Sequence, residues 1–179
     1  MRSLERIRIN AKALGSAKRH RGDLFSWLGR RPQILAAVGV YETAVLLSNK
    51  LDPTLKDLAE LKSAGLVNCE FCLDIGSAIA THSGVTAQQI RDLPVYRDSD
   101  AFTELQKLVI AFAEAMTSTP ASSETLAELR ERLLAQLSRA QVAELATTVA
   151  WENQRARLNQ SLGVRPTGIS DGAACALPE

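Results

Sequence analysis

The stretch DPTLKDLAELKSAGLVNCEFCLDIG, residues 52–76, holds two helix starts and a cysteine pair, and its reading decides the fold. Asp52-Pro53 is a helix opening: the Asp side chain can accept from the first unpaired N–H groups, and proline fits the first helical turn. A helix to about Val67 is predicted. Cys69-Glu70-Phe71-Cys72 then opens another, from about Cys69 to Ser83, closed by Gly84. Two cysteines one turn apart at a helix start can close a disulfide with little backbone movement, and the free N–H groups there favour thiolate over thiol. The same spacing also serves zinc sites.

Outward from this stretch the chain continues in helical code. Pro32 to Asn49 reads as a helix with a wide apolar stripe of Ile34, Leu35, Val38, Tyr41, Val45 and Leu46. Thr86 to Gln89 is a capping box for a short helix that stops before Pro94. Further helices are predicted for Asp100 to Met116, from Ser122 or Ser123 to about Leu137, and from the capping box Ser138 to Gln141 up to Gly163. Ala, Leu, Glu, Arg and Gln dominate, and no hairpin dipeptide sits between alternating runs, so the fold class is all-α. Residues 1–31 form a basic N-terminal helical segment, 32–165 the helical domain, and 166–179 a loose tail of small and polar residues that contains Cys175.

Composition narrows the function. A chain of 179 residues with 46% hydrophobic residues can bury one core. Its net charge of +1 gives no global signal for nucleic acid, although residues 1–31 concentrate arginine and lysine. No apolar run approaches the ~20 residues of a membrane span, and no secretory pattern opens the chain. A cytoplasmic location is expected, where a CxxC is more often catalytic than structural.

Candidate acids follow from helix geometry. If the helices on either side of Asn68 fold back antiparallel, Glu60 stands about 6 Å along the axis from Cys72 and Asp57 about 10 Å, at ~1.5 Å rise per residue. Both share one face, and Glu60 also has Lys56 and Lys62 as nearby ion-pair partners. The last helix carries an anomaly: its apolar stripe of Leu145, Val149 and Ala156 runs through Glu152 and Asn159. Buried polar groups need partners, so Glu152, Asn153, Arg155 and Asn159 line either a pocket or an inter-subunit contact. His82 lies ~15 Å along the helix from Cys72, too far to serve it. A zinc site needs two ligands beyond the CxxC, and only Cys175, His20 and His82 remain, none at motif spacing. No cofactor is expected.

Leu51-Asp52-Pro53 with Asp57, Leu61-Lys62, Asn68-Cys69-Glu70-Phe71-Cys72 and the closing Trp151 to Asn159 run together resemble the carboxymuconolactone decarboxylase family, including its alkyl hydroperoxidase D (AhpD-like) branch, over roughly residues 32 to 165. The resemblance implies an AhpD-like helical bundle, symmetric homo-oligomers, and a CxxC that reduces peroxides or passes electrons between thiol partners. It assigns the CxxC to Cys69 and Cys72, joined as a disulfide in the oxidised state, with Cys72 attacking the peroxide. Its relay carboxylate falls on Asp57. The chain departs from the family at the relay histidines: the position four residues after the second cysteine, usually His, is Gly76, and the residue before that cysteine, His or Tyr in many relatives, is Phe71. Gly76 removes bulk beside Cys72 and is expected to admit a larger substrate.

Three functions are consistent with these residues. In the first, a peroxiredoxin-type oxidoreductase, Cys72 becomes a sulfenic acid on meeting a hydroperoxide and Cys69 condenses with it, Glu60 and Asp57 moving protons and an external dithiol or thioredoxin-like reductant restoring the pair. In the second, a lyase acts on a small carboxylated lactone, with Arg155, Arg157 or Lys62 stabilising enolate charge. In the third, a non-enzymatic oligomer carries a regulatory disulfide. The cysteine pair favours the first, because lactone decarboxylation has no use for a CxxC.

Overall fold

In the computed structural model, residues 2–171, 174 and 176 are described, with the side chains of residues 2–6, 13 and 14 excepted. Cys175 therefore lies outside the described residues. Nine α-helices occur among them: α1 (Arg2–Gly15), α2 (Asp23–Leu28), α3 (Pro32–Leu47), α4 (Pro53–Val67), α5 (Glu70–Ser83), α6 (Ala87–Asp92), α7 (Glu104–Thr117), α8 (Ser123–Leu134) and α9 (Arg139–Ser161). A single 3₁₀ turn, Leu93–Val95, follows α6.

α4 is the central helix. It packs against α5, α7 and α9, and α7 also contacts α8 and α9. Leu58, Ala59, Leu61 and Ala64 of α4 are fully buried. They join two apolar clusters: Leu61, Leu73, Tyr96, Phe102, Ile110 and Ala156 lie with the cysteines, while Ala59, Val109, Leu133, Leu145 and Val149 fill the opposite side. Helix boundaries follow their caps. Asp52 accepts from Thr54 N–H at 2.9 Å, and Thr86 and Ser138 form reciprocal capping boxes with Gln89 and Gln141. The helix expected from Asp100 begins instead at Glu104, because Thr103 and Gln106 form a third capping box. Gly84 closes α5 with φ +102°, a left-handed conformation that costs other residues a Cβ clash.

The stripe of α3 is unevenly covered: Val45 is buried, Leu35, Val38 and Leu46 are half-buried, and Ile34 and Tyr41 keep 43% and 39% exposure. The basic N-terminal segment packs on the rest of the fold, since α1 lies on α3 and α5, and Lys18 and Arg19 N–H groups donate to Thr167 O at 3.0 and 3.1 Å. One expectation needs correction: the chain is not loose from residue 166. The buried carboxylate of Asp74 on α5 accepts from Thr167 N, Gly168 N and Ser170 N at 2.7, 2.8 and 2.9 Å, and from the hydroxyls of Thr167 and Ser170 at 2.9 and 2.6 Å. Burial alone would raise the Asp74 pKa, but these donors hold it below the usual carboxylate value. A small, polar sequence folds here because it wraps a charge.

Candidate functional site

The turn between α4 and α5 places both thiols. Asn68 adopts the left-handed conformation, φ +59°, that a short polar side chain tolerates. The chain reverses there, and α5 packs antiparallel on α4. Cys69 is the N-cap of α5, its Sγ accepting the Cys72 N–H at 3.3 Å. Cys69 and Cys72 are 2% and 8% exposed, and both are free thiols.

Their protons are unequally held. The Cys72 thiol donates toward Cys69, and this bond, opposed by burial and helped by the Cys72 N–H, lowers the Cys69 pKa. The same bond raises that of Cys72, together with burial and the negative charge of Glu152. At rest Cys69 has the greater thiolate character and Cys72 keeps the proton. Asn159 of α9 donates its Nδ2 to Cys72 Sγ at 3.6 Å.

α9 presents a polar ladder to this pair. Glu152 and Asn159, seven residues apart, occupy one face, both 1% exposed. The Glu152 carboxyl is close enough to the Cys72 thiol for each to shift the other's pKa, although no direct hydrogen bond joins them. Its Oε2 accepts from Arg155 Nε at 2.8 Å and from Arg155 Nη2 as well, whereas Oε1 has no hydrogen-bond partner. Burial pushes the Glu152 pKa up to about 7, against the pull of Arg155 and with a further push from Glu60. Arg155 is shared among three acids: Nη1 donates to both Glu42 oxygens at 3.1 Å, and Nη2 lies 3.8 Å from Glu60 Oε2. That surrounding charge holds the guanidinium ionised despite desolvation.

The other sequence-predicted residues fall in different places. Glu60 meets Arg155, not the lysines proposed for it: Lys56 pairs with Glu144 at 2.7 Å and Lys62 with Glu114 at 3.3 Å. Asp57 is buried on α4, one turn before Glu60. Asn153 turns away from the thiols, donating to Thr117 Oγ1 at 2.8 Å and accepting from Arg157. Phe71 is half-buried against the cysteine cluster. The space expected at Gly76 is taken, since a Cβ there would stand 3.0 Å from Leu61 Cδ2. Gly76 lets α4 and α5 approach and opens no room for a larger substrate. His82 is exposed and bonds to Ala78 O within its own helix.

Sequence reasoning marked Glu152 as an anomaly without linking it to Cys72. The signal was present, a carboxylate two turns from an Asn on an apolar face, but which helix meets that face is a tertiary fact. Among the described residues, no group of three or more His, Cys, Asp or Glu side chains is arranged to hold a metal ion, and no helix is long and apolar enough to cross a membrane.

Residues 32–115 match the carboxymuconolactone decarboxylase family. The protein YnjA of Escherichia coli (strain K12) is 28% identical over 166 residues, covering 90% of this chain and 87% of YnjA. YdfG of Bacillus subtilis (strain 168) is 23% identical over 117 residues, 65% of this chain and 79% of YdfG. Among solved structures, ATU0492 from Agrobacterium tumefaciens, described as a putative antioxidant defence protein AhpD, superposes with a TM-score of 0.69 at 22% identity, covering 78% of this chain and 94% of that one. The debrominase Bmp8 superposes with a TM-score of 0.70 at 20% identity over 87% of each chain. The family match over α3 to α7 and the shared helical architecture agree: residues 32–115 are similar to the carboxymuconolactone decarboxylase family, and the chain has an AhpD-like all-α fold.

Proposed function

We propose that the chain is a thiol-dependent oxidoreductase that reduces hydroperoxides by cycling Cys69 and Cys72 between dithiol and disulfide. The observation that carries this reading is the mutual arrangement of the two free thiols at the α5 N-terminus, where Cys72 donates to a Cys69 sulfur already turned toward thiolate. Deprotonated Cys72 sulfur attacks one peroxide oxygen; an S–O bond forms, the O–O bond breaks, and the alkoxide leaves as alcohol after taking up a proton. Sulfur is oxidised by two electrons and the peroxide is reduced. Cys69 sulfur then attacks the sulfenic acid, forming the disulfide and releasing water. An external dithiol of the thioredoxin type returns two electrons and two protons.

The roles of the two thiols differ accordingly. Cys69 is held toward thiolate and is suited to condensing with the sulfenic acid; Cys72 has Asn159 as a donor to its sulfur and a carboxyl beside it. The family resemblance also supports the second cysteine as the attacking one. Asp57 and Glu60 are supporting acids: Glu60 acts through Arg155, and Asp57 lies one turn further along α4. A homo-oligomer fits the uncovered apolar side chains of α2 and α3, where Phe25, Trp27 and Val40 are 64%, 51% and 72% exposed.

The test is disulfide formation in the reduced protein after addition of an organic hydroperoxide, followed by mass spectrometry. A Cys69–Cys72 disulfide that forms rapidly, and fails to form in Cys72→Ser, is expected. Thiols that stay reduced would overturn the reading.

A further inference from the structure

We propose that Glu152 carries the Cys72 proton to the departing peroxide oxygen, and that Arg155 is the positioning residue that leaves only one Glu152 oxygen free for that transfer. This rests on the thiol reading above and supplies the proton path that Phe71 and Gly76 cannot, because neither side chain can hold a proton.

The geometry separates Glu152 from the structural acids of the fold. Asp74 accepts at both oxygens, Oδ2 from Thr167 and Gly168 and Oδ1 from Ser170. Glu144 accepts at Oε1 from Lys56 and at Oε2 from Lys50 and Leu51 N–H. Glu114 engages Lys62 through Oε1 and Tyr96 and Arg97 through Oε2. A carboxylate buried for stability alone is finished in this way, since an unpaired buried acceptor costs about 1–3 kcal/mol. Glu152 is left unfinished. Arg155 saturates Oε2, while Oε1, fully enclosed and without a partner, belongs to a carboxyl on the same α9 face as Asn159, whose Nδ2 donates to Cys72 Sγ at 3.6 Å.

The charged and titratable groups around it fit the task. Arg155 on α9 attracts the Glu152 charge; Glu60 on α4 repels it; Cys69 and Cys72 face it from α5; Glu42 on α3 reaches it through Arg155, and Asp57 lies buried one turn before Glu60. Held near about 7, Glu152 can exist in either protonation state at neutral pH. The proton is conserved: it leaves Cys72 sulfur for Glu152 as the S–O bond forms and passes to the alkoxide as the O–O bond breaks. Glu152 ends in its starting state.

The experiment uses the full-length chain carrying Cys69→Ser, so that Cys72 cannot form a disulfide with Cys69, and compares it with the same chain carrying Glu152→Gln. Modification of Cys72 is followed by peptide-resolved mass spectrometry, with an organic hydroperoxide and, separately, with iodoacetamide. Iodide leaves without a proton and alkoxide does not, so the two reagents separate proton delivery from thiolate formation. Glu152→Gln is expected to slow both reactions, because each needs the Cys72 proton removed, and to slow sulfenic acid formation about 10²-fold more than alkylation, because only the alkoxide must also be given a proton. Alkylation of the Glu152 protein is expected to level off above about pH 7, while the Gln variant continues to rise with pH. Arg155→Lys, which keeps charge but loses the two-nitrogen clamp, is expected to shift that inflection. Equal slowing with both reagents, or unchanged profiles with both, overturns the proposal. If neither protein reacts with peroxide, the peroxidase reading falls, and the alkylation profiles alone decide whether Glu152 and Cys72 share a proton.

Discussion

Replacing Asp74 by Asn should unfasten the C-terminal segment from α5 with little change in shape. Every group facing the carboxylate is a donor or a hydroxyl: four backbone N–H groups at 2.7–3.4 Å and two hydroxyls. An amide keeps one acceptor oxygen and turns two donors on the rest. Its most favourable orientation keeps the oxygen on Thr167 and Gly168 and points the NH₂ at Ser170, whose hydroxyl can rotate to accept but whose N–H cannot. One charge-assisted bond is lost and one buried N–H is orphaned, so Asp74→Asn should cost about 2–4 kcal/mol. With an m-value of about 2 kcal/mol/M, the urea midpoint falls by roughly 1–2 M. Ser170→Ala, which removes one hydroxyl bond, should cost about 1 kcal/mol.

The same carboxylate sets a pH dependence. Its folded pKa is depressed, so its contribution is present above the unfolded value near 3.8 and is lost as pH falls through the folded pKa. Urea midpoints at pH 7 and at successively lower values below pH 4 should converge between the native protein and Asp74→Asn. If Asp74→Asn lies within about 0.5 kcal/mol of the native protein at pH 7, the cage does not stabilise the fold and the reasoning fails.

Two further outcomes follow from the packing. Cys69→Ser should keep α5 intact, because Ser is a favoured N-cap, whereas Cys69→Ala should lose about 0.5–2 kcal/mol in thermal or urea unfolding; equal stability of the two would refute a capping role for Cys69. Gly76→His, which installs the residue expected there from the family resemblance, should destabilise the fold by roughly 1–3 kcal/mol, because Leu61 already occupies that space. Gly76→Ala should be milder, its better helix propensity offsetting part of the contact with Leu61; a Gly76→His variant as stable as the native protein would show that the helices yield there.

Local chemistry made much of this fold legible in the sequence. Asp52-Pro53, Thr86 with Gln89, and Ser138 with Gln141 announce their helices because capping is settled within four residues. The start of α7 was misplaced because Asp100 is an equally plausible opening until the Thr103–Gln106 pair is weighed. The small polar run after Pro166 reads as loose because its partner, Asp74, is more than 90 residues away and carries no local mark.

At the site, the sequence by itself determined the two thiols and their helix-start position, consequences of short-range spacing and capping preference, while the reversal at Asn68 was a condition that the structure met. The sequence also placed Glu152 and Asn159 on one face of the last helix, since helical periodicity alone does that. Only the tertiary structure decided that this face packs against Cys72, that Arg155 gathers Glu42, Glu60 and Glu152, and that Leu61 fills the space beside Gly76. Such contacts join residues tens of positions apart, and their selection depends on how whole helices bury apolar surface against one another, a choice made by the packed core and not by any local segment.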